Sequence, residues 1–320
     1  MIKLFALLLA LVPVLGLGQS YPNRPVRMLI PFAPGGASDL VGRIIQPRMS
    51  ELLGQQVVAE NRPGASGNIG VETAARAAPD GYTFLLGNIG SIAINPAIFV
   101  KVSVNPLTDL VAVNQVVDVP SALVAHPTLP VNSVRELVDY AKLHPGKLNY
   151  ASPGSGSQNR LEMEVLRKLT GLDMVHVPYK GGAGPAISGL VGGETHLMFV
   201  TVSSAIGHVR AGRLKMLAVS TAKRMEQLPS VPTTSESGFP ELAASSWQGV
   251  FLPAGTPKEI VDRLFAATRQ TMAAPEVIER LANAGVIVAT SASPAAFAEF
   301  VANETQRWGR AAREAGATAD

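Results

Sequence analysis

The residues best placed to do chemistry are main-chain groups in two glycine turns. Pro34-Gly35-Gly36-Ala37-Ser38-Asp39 follows a short apolar run, Val26 and Met28 to Ile30. It precedes Val41, Ile45, Met49 and Leu52 at helical spacing. A glycine turn feeding a helix start aims several N–H groups at one point, and the helix dipole adds partial positive charge there. Such a turn suits a carboxylate or a phosphate. Tyr179-Lys180-Gly181-Gly182-Ala183-Gly184 repeats the pattern 146 positions later (182 − 36). Many strand-to-helix turns contain glycine and bind nothing, so either turn alone is a weak signal.

Side-chain chemistry is sparse by comparison. The five histidines, 126, 144, 176, 196 and 208, show no HExxH or other ligand-pair spacing, and no metal or cofactor site is expected. There is no GxSxG nucleophile elbow and no GxxxxGK[ST] phosphate loop. Ser155 and Ser157 have no histidine nearby in sequence, and no catalytic residue is assigned. The chain lacks cysteine, which excludes disulfides, thiolate metal sites, a cysteine nucleophile and a lipoprotein anchor.

The elements that must position the two turns follow from the pattern. Val26 to Ile30, Gln56 to Glu60 and Tyr82 to Leu86 read as strands, with helices after Asp39 and over Gly70 to Ala78. That alternation predicts a parallel sheet with right-handed crossovers. Ligands of such sheets bind past the carboxyl ends of the strands, where Pro34 to Asp39 and Gly87 to Asn95 would lie. Ser38 or Asp39 is expected to cap the first helix. Val111 to Val117 and Ala122 to Ala125 read as two strands divided by Pro120. Ser133 and Glu136 form a capping box before a helix to about Leu143. Leu148 to Ala151, Met174 to Pro178, His196 to Val200 and Leu214 to Ser220 are further strands, with helices over Asn159 to Leu169 and from Pro185. Thr256-Pro257-Lys258-Glu259 is a second capping box, and Ser293-Pro294 opens a terminal amphipathic helix.

With 320 residues, 47% hydrophobic and only 16% charged, the chain is globular and able to bury a large core. Its net charge of +3 is scattered, so no nucleic-acid footprint is present. Lys3, the apolar stretch Leu4 to Leu17 and the small residues near Gly18 to Ser20 read as a secretory signal peptide over residues 1–20. The stretch is shorter than the ~20 residues that span a bilayer.

Six motifs in one order go beyond generic turns: PFAPGGASD from Pro31, ENRPGASGNIG from Glu60, APDGYTFLLG from Ala78, LNYASPGSGS from Leu148, VPYKGGAGPA from Val177 and AGRLKMLAVS from Ala211. Together with LPSVPTTSESGFP and FLPAGTPKE they resemble the substrate-binding proteins of tripartite tricarboxylate transporters, the Bug (TctC-like) family, over essentially the whole mature chain. The resemblance implies an α/β, two-domain periplasmic-binding-protein (Venus flytrap) fold, each domain a mainly parallel sheet flanked by helices. The expected division is 21–118 plus 236–320 against 119–235, with the ligand cleft between them. It also implies a monomeric, non-enzymatic periplasmic protein that captures a small organic carboxylate for membrane transporter subunits. Presentation of the ligand to a membrane sensor is the alternative, and a secreted hydrolase on the same scaffold the third reading.

The family grips its ligand with two strand–turn–helix pincers, which match the PGGAS and YKGGAG loops. This places the N–H groups of Gly36, Ala37 and Ser38 opposite those of Gly181, Gly182 and Ala183. Ser91 and Asn95 match the loop after the third strand, and Ser155 and Ser157 the small-residue loop of the second domain. Phe32 and Tyr179 precede the turns and either cover the ligand's carbon frame or pack in the core. Lys180 either pairs with the ligand or sits solvated at the rim. Asp39 either touches ligand or braces its loop, and repulsion from a bound anion favours the brace. Arg160 stands where members commonly carry histidine; it is either a cation for a second carboxylate or an outward-facing helical residue. Val200 stands where many carry aspartate, which argues against a ligand whose amine needs a counter-ion.

Overall fold

We describe a computed structural model, which covers residues 21–154, 157–179, 181–314 and 318. The predicted signal peptide, Ser155 and Lys180 lie outside the described residues. The strands are β1 (Val26–Ile30), β2 (Val57–Asn61), β3 (Thr83–Asn88), β4 (Leu110–Ala125), β5 (Leu148–Ser152), β6 (Met174–Pro178), β7 (Leu197–Thr201), β8 (Lys215–Val219), β9 (Ser245–Pro253) and β10 (Ile287–Val288). They pair in the order β2-β1-β3-β9-β4-β7-β5-β6, with β8 and β10 also on β4.

Two parallel triplets, β2-β1-β3 and β7-β5-β6, are joined through antiparallel β9 and β4. β4 is the link. Its residues from Leu110 to Pro120 pair with β9, and those from Ser121 to Ala125 pair with β7 and β8. The expected break at Pro120 is therefore absent, and one strand of 16 residues serves both sections. Proline lacks an N–H for the ladder. Pro120 sits at the handover, opposite Ser245 at the very start of β9. The chain returns from the second section through Thr233 to Ser245.

Strand alternation distributes the core. In β1, Met28 packs under the helices Ala37–Leu53 and Lys258–Met272 with Val41, Ile45, Met49 and Leu264. Its neighbour Leu29 faces Leu85, Ile92, Trp247, Phe251, Phe297 and Trp308 on the other side. The second section repeats this, with Leu123, Tyr150, Leu166 and Phe199 on one face and Ala122, Ala151, Leu190 and Val200 on the other. Each fully buried Leu, Val or Phe contributes about 1.5–3 kcal/mol. Trp247 and Trp308 both donate their indole N–H to Glu304 Oε2, at 3.1 and 2.9 Å, which pins the terminal helix Pro294–Glu314 against β9.

Two expected caps differ. The helix Ala37–Leu53 starts one residue earlier than Ser38, with Gly36 as its N-cap and no side-chain cap. Lys258–Met272 is entered from Pro257, while Thr256 Oγ1 donates back to Pro253 O. The Ser133 cap stands as expected, accepting from Glu136 N–H at 3.1 Å. No described helix is long and apolar enough to cross a membrane.

Candidate ligand site between the two sections

The two glycine turns touch. Ala33 N–H donates to Gly181 O across the gap at 3.0 Å. A Cβ on Gly184 would fall 2.2 Å from Pro34 O, and one on Gly36 would lie 3.5 Å from Ala183 Cβ. Gly182 holds φ at +95° under the Phe32 ring, a conformation that side chains disfavour. The jaws are closed on each other.

Behind this contact lies a cavity of about 50 Å³. A single water needs about 10–15 Å³ on this scale, so there is room for a small ligand and little more. Four helices begin at its wall. Gly36, Ala37 and Ser38 open Ala37–Leu53; Ser157, Gln158 and Asn159 open Gln158–Thr170; Ala183 opens Ala183–Val191; Thr201 precedes Val202–Arg210. Each N-terminus carries roughly half a positive charge and N–H groups without helical partners. Among the described residues the wall holds no Lys, Arg, His, Asp or Glu. A wall with this pattern stabilises an anion through main-chain donors alone. A larger groove of about 970 Å³ lies against the crossing strands, but Asp118, Lys223, Arg224, Glu226, Glu304 and Arg307 line it and no long helix starts there.

Of the residues expected at the site, Phe32, Gly36, Ala37, Ser38, Ser157 and Ala183 line the cavity. Ser157 is also the N-cap of its helix, accepting from Arg160 N–H at 3.2 Å. Gly181 and Gly182 form the jaw contact rather than the wall.

Asp39 stands behind the first turn as a brace. Its Oδ2 accepts Gly35 N–H at 3.2 Å, and its Oδ1 accepts from Arg43 and Asn61, each at 3.0 Å. Burial pushes its carboxyl up, but these hydrogen bonds outweigh burial and hold it below the usual carboxylate range. Ser91 bonds to Asn88, and Asn95 donates to Ser66 O and Asn68 Oδ1; both support the wall from outside. Tyr179 points to Glu194 Oε2 at 2.8 Å, away from the cavity.

The wall also contains Ser66, Asn88, Ile89, Gly90, Pro153, Gln158, Asn159, Thr201, Ser246 and Gln248, which the sequence reading did not single out. Helix starts at Gln158 and Val202 were the available signal for several of them. Ser246 and Gln248 arrive on β9, whose pairing with β3 and β4 is not local in sequence.

The two departures from the family pattern both lie off the wall. Arg160 faces Glu164 and donates to Thr318 O at 2.7 Å, and Val200 is fully buried in β7. Ser152 Oγ lies 2.7 Å from His176 Nε2, the spacing of a serine and its base. Ser152 is fully buried, braces Gly154 and does not line the cavity. Among the described residues no group of three or more His, Cys, Asp or Glu could hold a metal ion.

Comparison with known proteins agrees with this architecture. The model of the tripartite tricarboxylate transporter family receptors matches residues 41–317, and the chain belongs to that family. It adopts the two-domain periplasmic-binding-protein fold. The structure of the periplasmic binding protein BugD superposes with a TM-score of 0.89 at 35% identity, covering 93% of this chain and 99% of that one. Rpa4515 of R. palustris, solved with adipate, gives the same TM-score and identity over 93% and 99% of the two chains. MatC from Rhodopseudomonas palustris, solved with bound malate, gives 0.86 at 33% identity over 91% and 99%.

Proposed function

We propose that this protein is a periplasmic solute receptor that closes on a small organic carboxylate and delivers it to the membrane subunits of a tripartite tricarboxylate-type transporter. The observation that carries the reading is the convergence of four helix N-termini on a cavity whose described wall has no charged side chain. A carboxylate there is neutralised by N–H groups and dipoles. The adipate and malate found in two relatives support the ligand class.

Such a receptor divides into 21–118 plus 236–320 and 119–235, with hinges where β4 passes Pro120 and where the chain returns before Ser245. Backbone donors of Gly36, Ala37, Ser38 and Ala183 meet the ligand. Gly181 and Gly182 shape the second jaw, and Asp39, Ser91, Asn95 and Tyr179 hold the jaws in place. Residues 1–20 direct export and are removed. The receptor acts as a monomer and catalyses no reaction, since a wall of N–H, hydroxyl and amide groups offers binding but no acid–base pair.

The test is a thermal-shift screen of ligand-stripped mature protein against mono-, di- and tricarboxylates. Ligand at 100 times Kd adds about 2.7 kcal/mol of stability. A panel without any shift would refute carboxylate capture. Turnover of ester or amide substrates would instead revive the hydrolase reading.

A further inference from the structure

Of the four carboxamides on the cavity wall, two are glutamines, one from each section: Gln248 of β9, and Gln158 at the start of its helix. They are 1% and 3% exposed. The Oε1 of each is buried without a hydrogen-bond partner among the described residues. Buried polar atoms nearly always find a partner, so two orphaned acceptors on one ligand cavity point to a donor on the ligand. Gln248 also lies beside an irregularity in the β4–β9 register, between Gln115 and Val117, of the kind that re-aims side chains near binding sites.

Glu162 sets which end of Gln158 is left over. Its Oε1 accepts from Gln158 Nε2 at 3.1 Å, and its Oε2 from Asn159 Nδ2 at 2.9 Å. An ionised carboxylate only accepts, so it turns the amide nitrogens towards itself and leaves the Gln158 oxygen unused. Its partners are neutral, with the Ser121 hydroxyl of β4 completing the set. On its own helix, Glu164 pairs with Arg160 and Arg167. The adjoining β7 carries no charged residue, and Glu241 in the turn Pro240–Leu242 is exposed. Burial in this uncharged setting pushes the Glu162 carboxyl up to about 7.

We propose that Gln158 and Gln248 form a hydrogen-bond-accepting subsite, so that the cavity takes a carboxylate that also bears a hydroxyl group, with Glu162 as the positioning residue for Gln158. The proposal rests on the reading of the cavity as a carboxylate site. The ligand O–H donates to one of the two unpartnered amide oxygens. An analogue lacking it leaves that oxygen buried and unpaired, which is how sites built around a hydroxyl reject deoxy analogues.

Isothermal titration of ligand-stripped protein with acids differing by one hydroxyl tests it: malate and succinate, citrate and tricarballylate, lactate and propionate, at pH 8 and pH 6. The hydroxy member of a binding pair is expected at least about tenfold tighter at pH 8. The ratio should shrink at pH 6, where protonated Glu162 becomes a donor and lets Gln158 turn around. In Glu162→Gln the ratio should be small and independent of pH, and Gln248→Leu should lower it. The wild-type pH profile carries the test should a variant fold poorly. Deoxy acids binding as tightly as their partners would overturn the subsite while leaving carboxylate capture intact. A pH-independent wild-type ratio would overturn the role of Glu162. No binding by any acid would overturn capture itself, and the subsite with it.

Discussion

Gly184 and Pro34 meet across the two sections so closely that a Cβ on Gly184 would sit 2.2 Å from the Pro34 carbonyl oxygen. Backbone opposes backbone there, so a side chain has no easy way to be accommodated while the jaws stay shut. Gly184→Ala should therefore weaken ligand binding about 100-fold or more, equivalent to roughly 3 kcal/mol against closure. The substitution lies in the first turn of a helix, where alanine is better than glycine, so the melting temperature without ligand should be unchanged or higher. Gly207→Ala, with open space around it, is the control and should bind normally. Calorimetric titration of both variants checks the pair.

Glu162 makes stability depend on pH in a defined direction. Its folded carboxyl titrates near 7, above its ordinary value, so its contribution is complete below about pH 4.5 and is lost as pH rises through 7. The effect is on the order of 3 kcal/mol. Thermal melts of wild type and Glu162→Gln at pH 5 and pH 8 should show the variant gaining on wild type at the higher pH. Parallel curves would show that Glu162 does not set this pH dependence.

Asp39 acts in the opposite sense. Its carboxyl is held low by Arg43, Asn61 and Gly35, so its stabilisation is present above the usual carboxylate range and lost as pH falls through its folded value. Asp39→Ala should cost about 1–3 kcal/mol at pH 7, with wild type and variant converging in acid. Ligand affinity should fall as well, since Gly35 loses the acceptor that orients the first turn. Urea unfolding at pH 7 and pH 3 measures the difference.

One hydroxyl ties together the two crossing segments at which the hinge is proposed. Ser220 Oγ accepts Ser121 N–H at 2.9 Å and donates to Ala244 O, linking both crossing segments. Ser220→Ala leaves the buried Ser121 N–H unpaired, an expected loss of about 1–3 kcal/mol in urea unfolding. Stability equal to wild type would show that the hinge is held elsewhere.

Much of this was legible in the residues. The strand–turn–helix units were visible because apolar periodicity changes at Gly35-Gly36 and at Gly181-Gly182, and the six ordered motifs carried the family. β4 was not legible as one strand, because Pro120 normally signals a break and only its position opposite the start of β9 makes it tolerable. β9 itself, and with it Gln248, is placed by pairing with strands more than a hundred residues away in sequence, which no local pattern encodes. Ser91, Asn95 and Tyr179 were expected at the ligand; the structure places them one layer back, engaged with Asn88, Ser66 and Glu194. Local spacing locates a loop but not the direction in which each side chain leaves it.

In the proposed function a carboxylate bridges the two sections and holds them closed. Both jaws line the cavity, so a ligand that touches both favours the closed form over an open one, and ligand-free protein is expected to sample the open form. Small-angle X-ray scattering of ligand-stripped mature protein, repeated at saturation with the best carboxylate from the thermal screen, tests this directly. The expected result is a smaller radius of gyration on saturation for wild type and little change for Gly184→Ala. Saturable carboxylate binding with no contraction in wild type would contradict it.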